Sequence, residues 1–178
     1  MKQILSKSIV LIGLMGSGKS AIGKMLSERI GVSTSDTDKI IENEVGKKIY
    51  QIFNDHGEEY FRTVEEKIIA SVLNDTAHVI STGGGSILSP KTRSLVKSKS
   101  YSNWVQCDVH IILNRITNDD TRLLLKNRNV LDTLIEKNEE RIKFYSQADI
   151  HVINENPNLE ITIDAIIKNL SLNKVIIK

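Results

Sequence analysis

The stretch that most limits what this chain can become reads Ser8-Ile-Val-Leu-Ile-Gly13-Leu-Met-Gly16-Ser17-Gly18-Lys19-Ser20, an apolar run breaking into a glycine-rich turn that ends in Lys-Ser. Glycine, four residues, then Gly-Lys-Ser is the P-loop template, which carries weight only between a strand and a helix. Both flanks comply. Residues 9–12 are continuously apolar, as in a parallel strand buried on both faces, and Ile22, Met25, Leu26 and Ile30 recur at helical spacing. Such a turn lets consecutive backbone N–H groups wrap a phosphate at a helix N-terminus, where the dipole favours negative charge. Gly13, Gly16, Ser17, Gly18, Lys19, Ser20 and Ala21 are therefore the expected nucleotide contacts. Lys19 is expected to reach the β- and γ-phosphates of ATP, and the Ser20 hydroxyl to ligate Mg²⁺. The competing explanation is a chance glycine turn.

The rest of the composition excludes more than it selects. At 178 residues the chain is expected to form one domain, 1–178, with a core that needs no staples. A net charge of +2 is too small to argue for nucleic acid or an anionic membrane surface, and the scattered 4% of aromatics offers no stacking platform. Neither nucleic acid nor membrane is expected as a partner. The single cysteine, Cys107, excludes an internal disulfide and a CxxC metal site, which fits a reducing cytoplasm. No apolar run reaches the roughly 18 residues of a membrane span. The N-terminus leads directly into the strand of the P-loop, so no signal peptide is expected.

Beyond the P-loop, strand and helix alternate, which predicts a single α/β domain with a parallel sheet. A weak strand at 32–35 delivers Asp36-Thr37-Asp38. At the carboxyl end of a strand these carboxylates sit where such sheets bind ligands, and alternation lets one serve a metal and the other a substrate. The simpler alternative is that Asp36 or Thr37 caps the next helix. Short helices at 39–45 and 48–53 flank Gly46, and Gly57 precedes a longer helix over 58–74 on which Arg62 and Glu65 can pair. For an isolated arginine that pair reads as a surface ion pair of little energy. Residues 78–82 form a compact strand opened by His78, read as an edge histidine, and closed by Gly83-Gly84-Gly85. Three glycines in a row mark a close backbone approach by a ligand or another segment. A helix starts at Ser89-Pro90, a strand spans 102–107, and helices span 109–116 and 131–148. Between those last two helices lies a polar segment bearing Arg115 and Arg122, able to close over phosphates or simply to be a loop. A strand at 150–153 and a helix at 161–170 complete the pattern, and the tail 171–178 carries no clear signal.

Taken together, the P-loop at 13–20, Asp36-Thr37-Asp38, Gly57 with Phe61-Arg62, Thr82 to Gly85, Arg115 and Arg122, and Arg141 with Tyr145 make the chain resemble the shikimate kinases along essentially its full length. The resemblance implies a three-layer αβα fold on a five-stranded parallel sheet of order 2-3-1-4-5, with a mobile lid at about 115–128. It implies transfer of the γ-phosphate of ATP to the 3-hydroxyl of shikimate, with Mg²⁺, by a cytoplasmic monomer on the route to aromatic amino acids. By the same resemblance Lys19, Asp38 and Arg122 are catalytic. Asp38 would hold the shikimate hydroxyls, Arg62 and Arg141 its carboxylate, and Gly83, Gly84 and Gly85 its backbone cradle. Ser20 and Asp36 would serve Mg²⁺, Arg115 and Arg122 the nucleotide, and Asn156 and Pro157 the adenine. Two departures from the family pattern stand out. Arg122 is followed by Leu123-Leu124-Leu125 where the family usually has a proline, and the Arg141 helix lacks its usual proline and is one residue shorter between Tyr145 and Ala148. A gluconate kinase-like enzyme, a nucleoside monophosphate kinase and a non-catalytic nucleotide switch are the alternatives; the triple glycine with the Arg62 and Arg141 pair counts against the first two, and Arg122 against the third.

Overall fold

The computed structural model describes residues 4–117 and 129–177. The polar segment around Arg122, the expected lid, therefore lies outside the described residues apart from its margins. Strands β1 (Ile4–Leu5), β2 (Ser8–Ile12), β3 (Thr34–Asp36), β4 (Val79–Ser81), β5 (Ser100–Gln106), β6 (Ile150–Ile153) and β7 (Ile176–Ile177) alternate with helices for most of the chain. The helices are α1 (Lys19–Ile30), α2 (Thr37–Val45), α3 (Ile49–Val72), α4 (Pro90–Lys99), α5 (Val109–Thr117), α6 (Val130–Tyr145) and α7 (Leu159–Leu172), and a single 3₁₀ turn, Ser86–Leu88, precedes α4. Helix α3 is broken at Gly57 (φ 81°, ψ 174°), so the two helices expected on either side of that glycine run on with a kink between them.

The main sheet is parallel, in the order β3-β4-β2-β5-β6, which is the expected 2-3-1-4-5. Strand β2 takes the centre because all five of its residues are buried and need cover on both faces. Alternation then divides the core. Ile9 and Leu11 face Ile22, Leu26 and Ile30 of α1 and Ile163, Ile166 and Leu170 of α7. Val10 and Ile12 face Ile69 and Val72 of α3, Val96 of α4 and Tyr145 of α6, with Trp104 among them. These two apolar seams make the three layers, and they leave the carboxyl ends of β2, β3 and β4 side by side. No helix among the described residues is long and apolar enough to cross a membrane.

Two details differ from the sequence-based expectation. His78 does not lie on an edge: β4 is flanked by β3 and β2, and the buried imidazole contacts the Thr76 carbonyl at 2.8 Å and Ser35 Oγ at 3.0 Å. The tail is ordered into the fold, since β7 pairs antiparallel with β1 and the Ser6 N–H donates to the Val175 carbonyl at 3.0 Å. Val175 and Leu5 are buried against the α1–α7 side of the core. The end of α7, a turn and the pairing with β1 carry those last residues back onto the core, where Val175 is buried. Val175→Ala should therefore lower unfolding free energy in urea by about 2 kcal/mol, the cost of two lost buried methyl groups and a small void. An unchanged denaturation midpoint would show that the tail contributes nothing to stability.

Candidate active site

The loop that follows β2 is held open by backbone constraints. Gly13 has φ 144°, and a Cβ there would lie 2.6 Å from the Val105 carbonyl oxygen, so β5 forbids a side chain at the loop entrance. Gly18, at φ 97°, caps α1 from the left-handed region. The buried Lys19 folds back over the loop, its Nζ donating to the carbonyls of Gly13 at 2.8 Å and Leu14 at 2.9 Å. Ser81 Oγ donates to the Lys19 carbonyl at 3.0 Å and so ties the first turn of α1 to the end of β4. Ser20, next along, is exposed.

Asp36 is both strand end and helix cap. Its Oδ1 accepts from the Asp38 N–H at 3.1 Å and the Lys39 N–H at 3.3 Å, so the capping alternative for this residue holds. Asp38 consequently belongs to the first turn of α2, and the two carboxylates diverge because the chain changes from strand to helix between them. Capping occupies one Asp36 oxygen and leaves the other. With the exposed Ser20 hydroxyl this is an all-oxygen donor set, which suits Mg²⁺, an ion that takes one or two protein oxygens and fills its shell from phosphates and water.

On the other side of Lys19 lies a desolvated, charged cleft. Glu65 is buried, and its Oε2 accepts from Arg62 Nη1 at 2.6 Å, while Glu58 Oε1 accepts from Arg62 Nη2 at 3.0 Å. The Arg62–Glu65 pair is thus no surface pair: the Glu65 side chain is only 3% exposed. Burial works against the Arg62 charge, but Glu65 and Glu58 outweigh it and hold the guanidinium above its ordinary pKa. Burial raises the Glu65 carboxyl, with Arg62 opposing. Asp38 is pushed up to about 6 by burial and by the neighbouring Asp36, against the attraction of Lys19 and Arg62.

The glycines fit between these groups. A Cβ on Gly83 would lie 2.6 Å from Glu65 Oε1 and 2.7 Å from Asp38 Oδ1, and a Cβ on Gly85 would lie 2.4 Å from Arg62 Nη2. Thr37 Oγ1 accepts from the Gly83 N–H at 3.3 Å, and the Tyr145 hydroxyl donates to the Gly84 carbonyl. Burial lifts the Tyr145 phenol to about 12, although the Arg141 guanidinium beside it works the other way. Arg141 is buried, with Glu140 Oε2 at 3.5 Å from Nε as its ion contact. Asp38 Oδ1, Glu65 Oε1 and Arg141 Nε are three of the six buried side-chain atoms without a hydrogen-bond partner among the described residues. Buried polar atoms left this way mark a place built for a ligand.

The structure therefore brings Asp36, Asp38, Arg62, the three glycines and Arg141 together beside the P-loop. Arg115 joins from α5: its Nη2 donates to the Asn154 carbonyl at 3.0 Å, and its Nη1 would be 3.9 Å from a Gly18 Cβ. Asn156 and Pro157 are exposed, with Asn156 Oδ1 accepting from the Asn158 N–H at 2.8 Å. Arg122 lies outside the described residues. Sequence reasoning missed Thr37 as a brace for Gly83 and missed Asn154 entirely; a lone Asn after a strand carries no signal of what it will touch.

A P-loop at the centre of a parallel sheet, with Asp38, Glu65 and Arg62 against glycine backbone beside it, is the arrangement of a kinase for a small polar acceptor. A family model described as shikimate kinase matches residues 15–171. A shikimate kinase of Ruegeria pomeroyi is 35% identical over 175 residues, covering 98% of this chain and 90% of the relative. One from Caldicellulosiruptor bescii is 38% identical over 170 residues, covering 96% and 94%. The structure of the Acinetobacter baumannii shikimate kinase in complex with shikimate superposes with a TM-score of 0.90 at 29% identity, covering 95% of each chain. The chain belongs to the shikimate kinase family. It is an ATP-dependent kinase, using Mg²⁺, that phosphorylates the shikimate 3-hydroxyl in aromatic amino acid biosynthesis.

Two consequences of this geometry are measurable. Gly83→Ala should lower kcat/KM for the acceptor at least about tenfold by driving Asp38 and Glu65 apart, while the KM for ATP stays within about twofold; equal losses for both substrates would contradict this placement of Gly83. Asp38 holds its proton more tightly in the folded protein than in the unfolded chain, where its pKa is 3.8. Below pH about 3 both states are protonated and nothing is lost; stability declines as pH rises toward about 6 and stays lower above it. Asp38→Asn should thus raise unfolding free energy at pH 8 by about 3 kcal/mol, an advantage that disappears below pH about 3. A stability difference independent of pH would remove the buried charge as its cause.

Proposed function

We propose that the buried polar cluster is the acceptor half of a two-substrate site and that residues 13–20 are the donor half, within one catalytic domain spanning 1–178. The observation that carries this reading is that Asp38 Oδ1 and Glu65 Oε1, each buried without a hydrogen-bond partner, face the backbone of Gly83 where no side chain fits. Arg62 and Arg141 grip the shikimate carboxylate as guanidinium forks. Arg62 is available because Glu58, one of its two partners, is exposed and weakly held, while Glu65 keeps the fork in place. Gly83, Gly84 and Gly85 let the sugar-like ring approach the backbone. Asp38 accepts the proton of the 3-hydroxyl as its oxygen bonds to the γ-phosphorus and the bond from that phosphorus to ADP breaks. Lys19 and Arg122 offset the charge that builds on the transferring group. Ser20 and Asp36 would hold Mg²⁺, which would supply charge neutralisation for the phosphates. Gly13, Gly16, Ser17, Gly18 and Ala21 contribute backbone to the phosphates, Arg115 contacts the nucleotide, Asn156 and Pro157 flank the adenine, and the segment around 115–128 closes over the nucleotide to exclude water. The protein works as a cytoplasmic monomer, with neither nucleic acid nor membrane as a partner, in keeping with its net charge of +2.

The test is a coupled assay with ATP and Mg²⁺ across candidate acceptors. ADP should form only when shikimate is added; turnover with gluconate or a nucleoside monophosphate in place of shikimate would overturn the assignment. Asp38→Asn should lower kcat by about 10²-fold or more. The kcat/KM of the parent enzyme for shikimate should fall as pH drops through about 6, where Asp38 takes up its proton. A pH-independent profile, or full turnover in Asp38→Asn, would remove Asp38 from proton transfer.

A further inference from the structure

In the nucleotide half of the site a buried side chain joins the P-loop to Arg115 and to α7. Asn154 follows β6 directly and is fully buried. Its N–H donates to the Gln106 carbonyl at 2.8 Å, and its own carbonyl accepts from Arg115 Nη2 at 3.0 Å. In the side chain, Nδ2 donates to the Ser17 carbonyl at 2.7 Å and Oδ1 accepts from Thr162 Oγ1 at 3.1 Å. The orientation of the amide is not ambiguous. A carbonyl can only accept, so the nitrogen must face Ser17, and the remaining oxygen lies toward the Thr162 hydroxyl, whose other acceptor is the Ile153 carbonyl at 3.3 Å.

A trans peptide is planar, so the Ser17 carbonyl and the Gly18 N–H that share one peptide unit point in opposite directions. Fixing the first on Asn154 fixes the second on the other side of the loop. The lock matters at this bond because Gly18 sits at φ 97° and a glycine can let its preceding peptide rotate at little cost. A rotated peptide would present a carbonyl oxygen to an anionic phosphate. The fit leaves no slack, since a Cβ on Gly18 would lie 2.5 Å from Asn154 Nδ2. Arg115 is held by the same residue, with Cys107 Sγ as its second acceptor at 3.4 Å.

We propose that Asn154 is the positioning residue of the nucleotide site: through Ser17 it aims the Gly18 N–H at the triphosphate, and through its own carbonyl it sets the Arg115 guanidinium. It touches no reacting atom, and Thr162 on α7 acts one step further out by keeping the Asn154 amide from turning over. The inference rests on residues 13–20 being the nucleotide cradle. A residue that only filled space would be replaced by an isosteric side chain without consequence, whereas Asn154→Asp keeps the shape and turns the donor facing Ser17 into an acceptor.

The experiment measures ADP binding by titration calorimetry, the KM for ATP and for shikimate, and the melting temperature of the full chain. Asn154→Ala and Asn154→Asp should each weaken ADP binding about tenfold and raise the KM for ATP in step, with the KM for shikimate within about twofold. Thr162→Val, which leaves Asn154 in place but frees its amide, should shift the same two quantities about threefold, and it decides the matter if the Asn154 variants do not fold. ADP dissociation constants within twofold of the parent in Thr162→Val and in every folded Asn154 variant, or equal losses for both substrates, would overturn the proposal. Lys19→Ala serves as the control. If it too leaves ADP binding unchanged, the failure belongs to the P-loop assignment underneath.

Discussion

Two carboxylates facing each other across a glycine, each with one oxygen buried, set the terms for the rest of the molecule. Asp38 and Glu65 each turn an unpartnered oxygen toward the space where a Gly83 side chain would stand. Removing such groups from water is unfavourable unless they are paired, and only Glu65 has a full partner, in Arg62. Asp38 has Asp36 and Glu42 pushing against its charge and only Lys19 and Arg62 drawing it out. A core residue chosen for stability would not be left in that position. Perturbed groups of this kind, sited in a cleft, are retained for what they do to a ligand.

The apolar frame makes this tolerable. The two seams on either side of β2 come from regular alternation along one strand, and they hold the ends of β2, β3 and β4 in fixed relation. Hydroxyls at those ends then tie loops to strands at short range. Thr82 Oγ1 donates to the Leu11 carbonyl at 3.1 Å, Ser81 Oγ holds the start of α1, and Thr37 Oγ1 receives the Gly83 N–H. Each bond is modest alone. Together they keep the P-loop, the head of α2 and the glycine turn from drifting apart, so that charge placed by α2 and α3 meets phosphate placed by α1.

What could be read in the amino-acid order was whatever depends on local pattern. The P-loop declares itself because strand, turn and helix are contiguous, and the sheet order follows from the family those motifs resemble. Asp36 was legible twice, as helix cap and as candidate ligand, and the structure shows the cap while leaving an oxygen over for the other role. Readings failed where distant segments decide. His78 looks like an edge residue until β3 is known to cover β4, and the tail is silent until β1 appears across from it. Glu65 reads as half of a surface pair because helical spacing cannot report that the Gly83 turn lies over it. Asn154 is 137 residues from Ser17 in sequence, and no local rule links them.

Lys19 shows why the two halves of the site belong to one mechanism. Its ammonium, folded onto the Gly13 and Leu14 carbonyls, is also one of the charges that draw the Asp38 pKa down. On the proposed assignment a bound triphosphate brings negative charge to that ammonium and offsets it. Coulomb attraction between Lys19 and Asp38 is then partly cancelled, and in a water-poor cleft such a cancellation is felt more strongly than in bulk solvent. The Lys19 ammonium is thus shared between the loop carbonyls and the field around the Asp38 carboxylate, and it links the electrostatics of the two halves of the cleft.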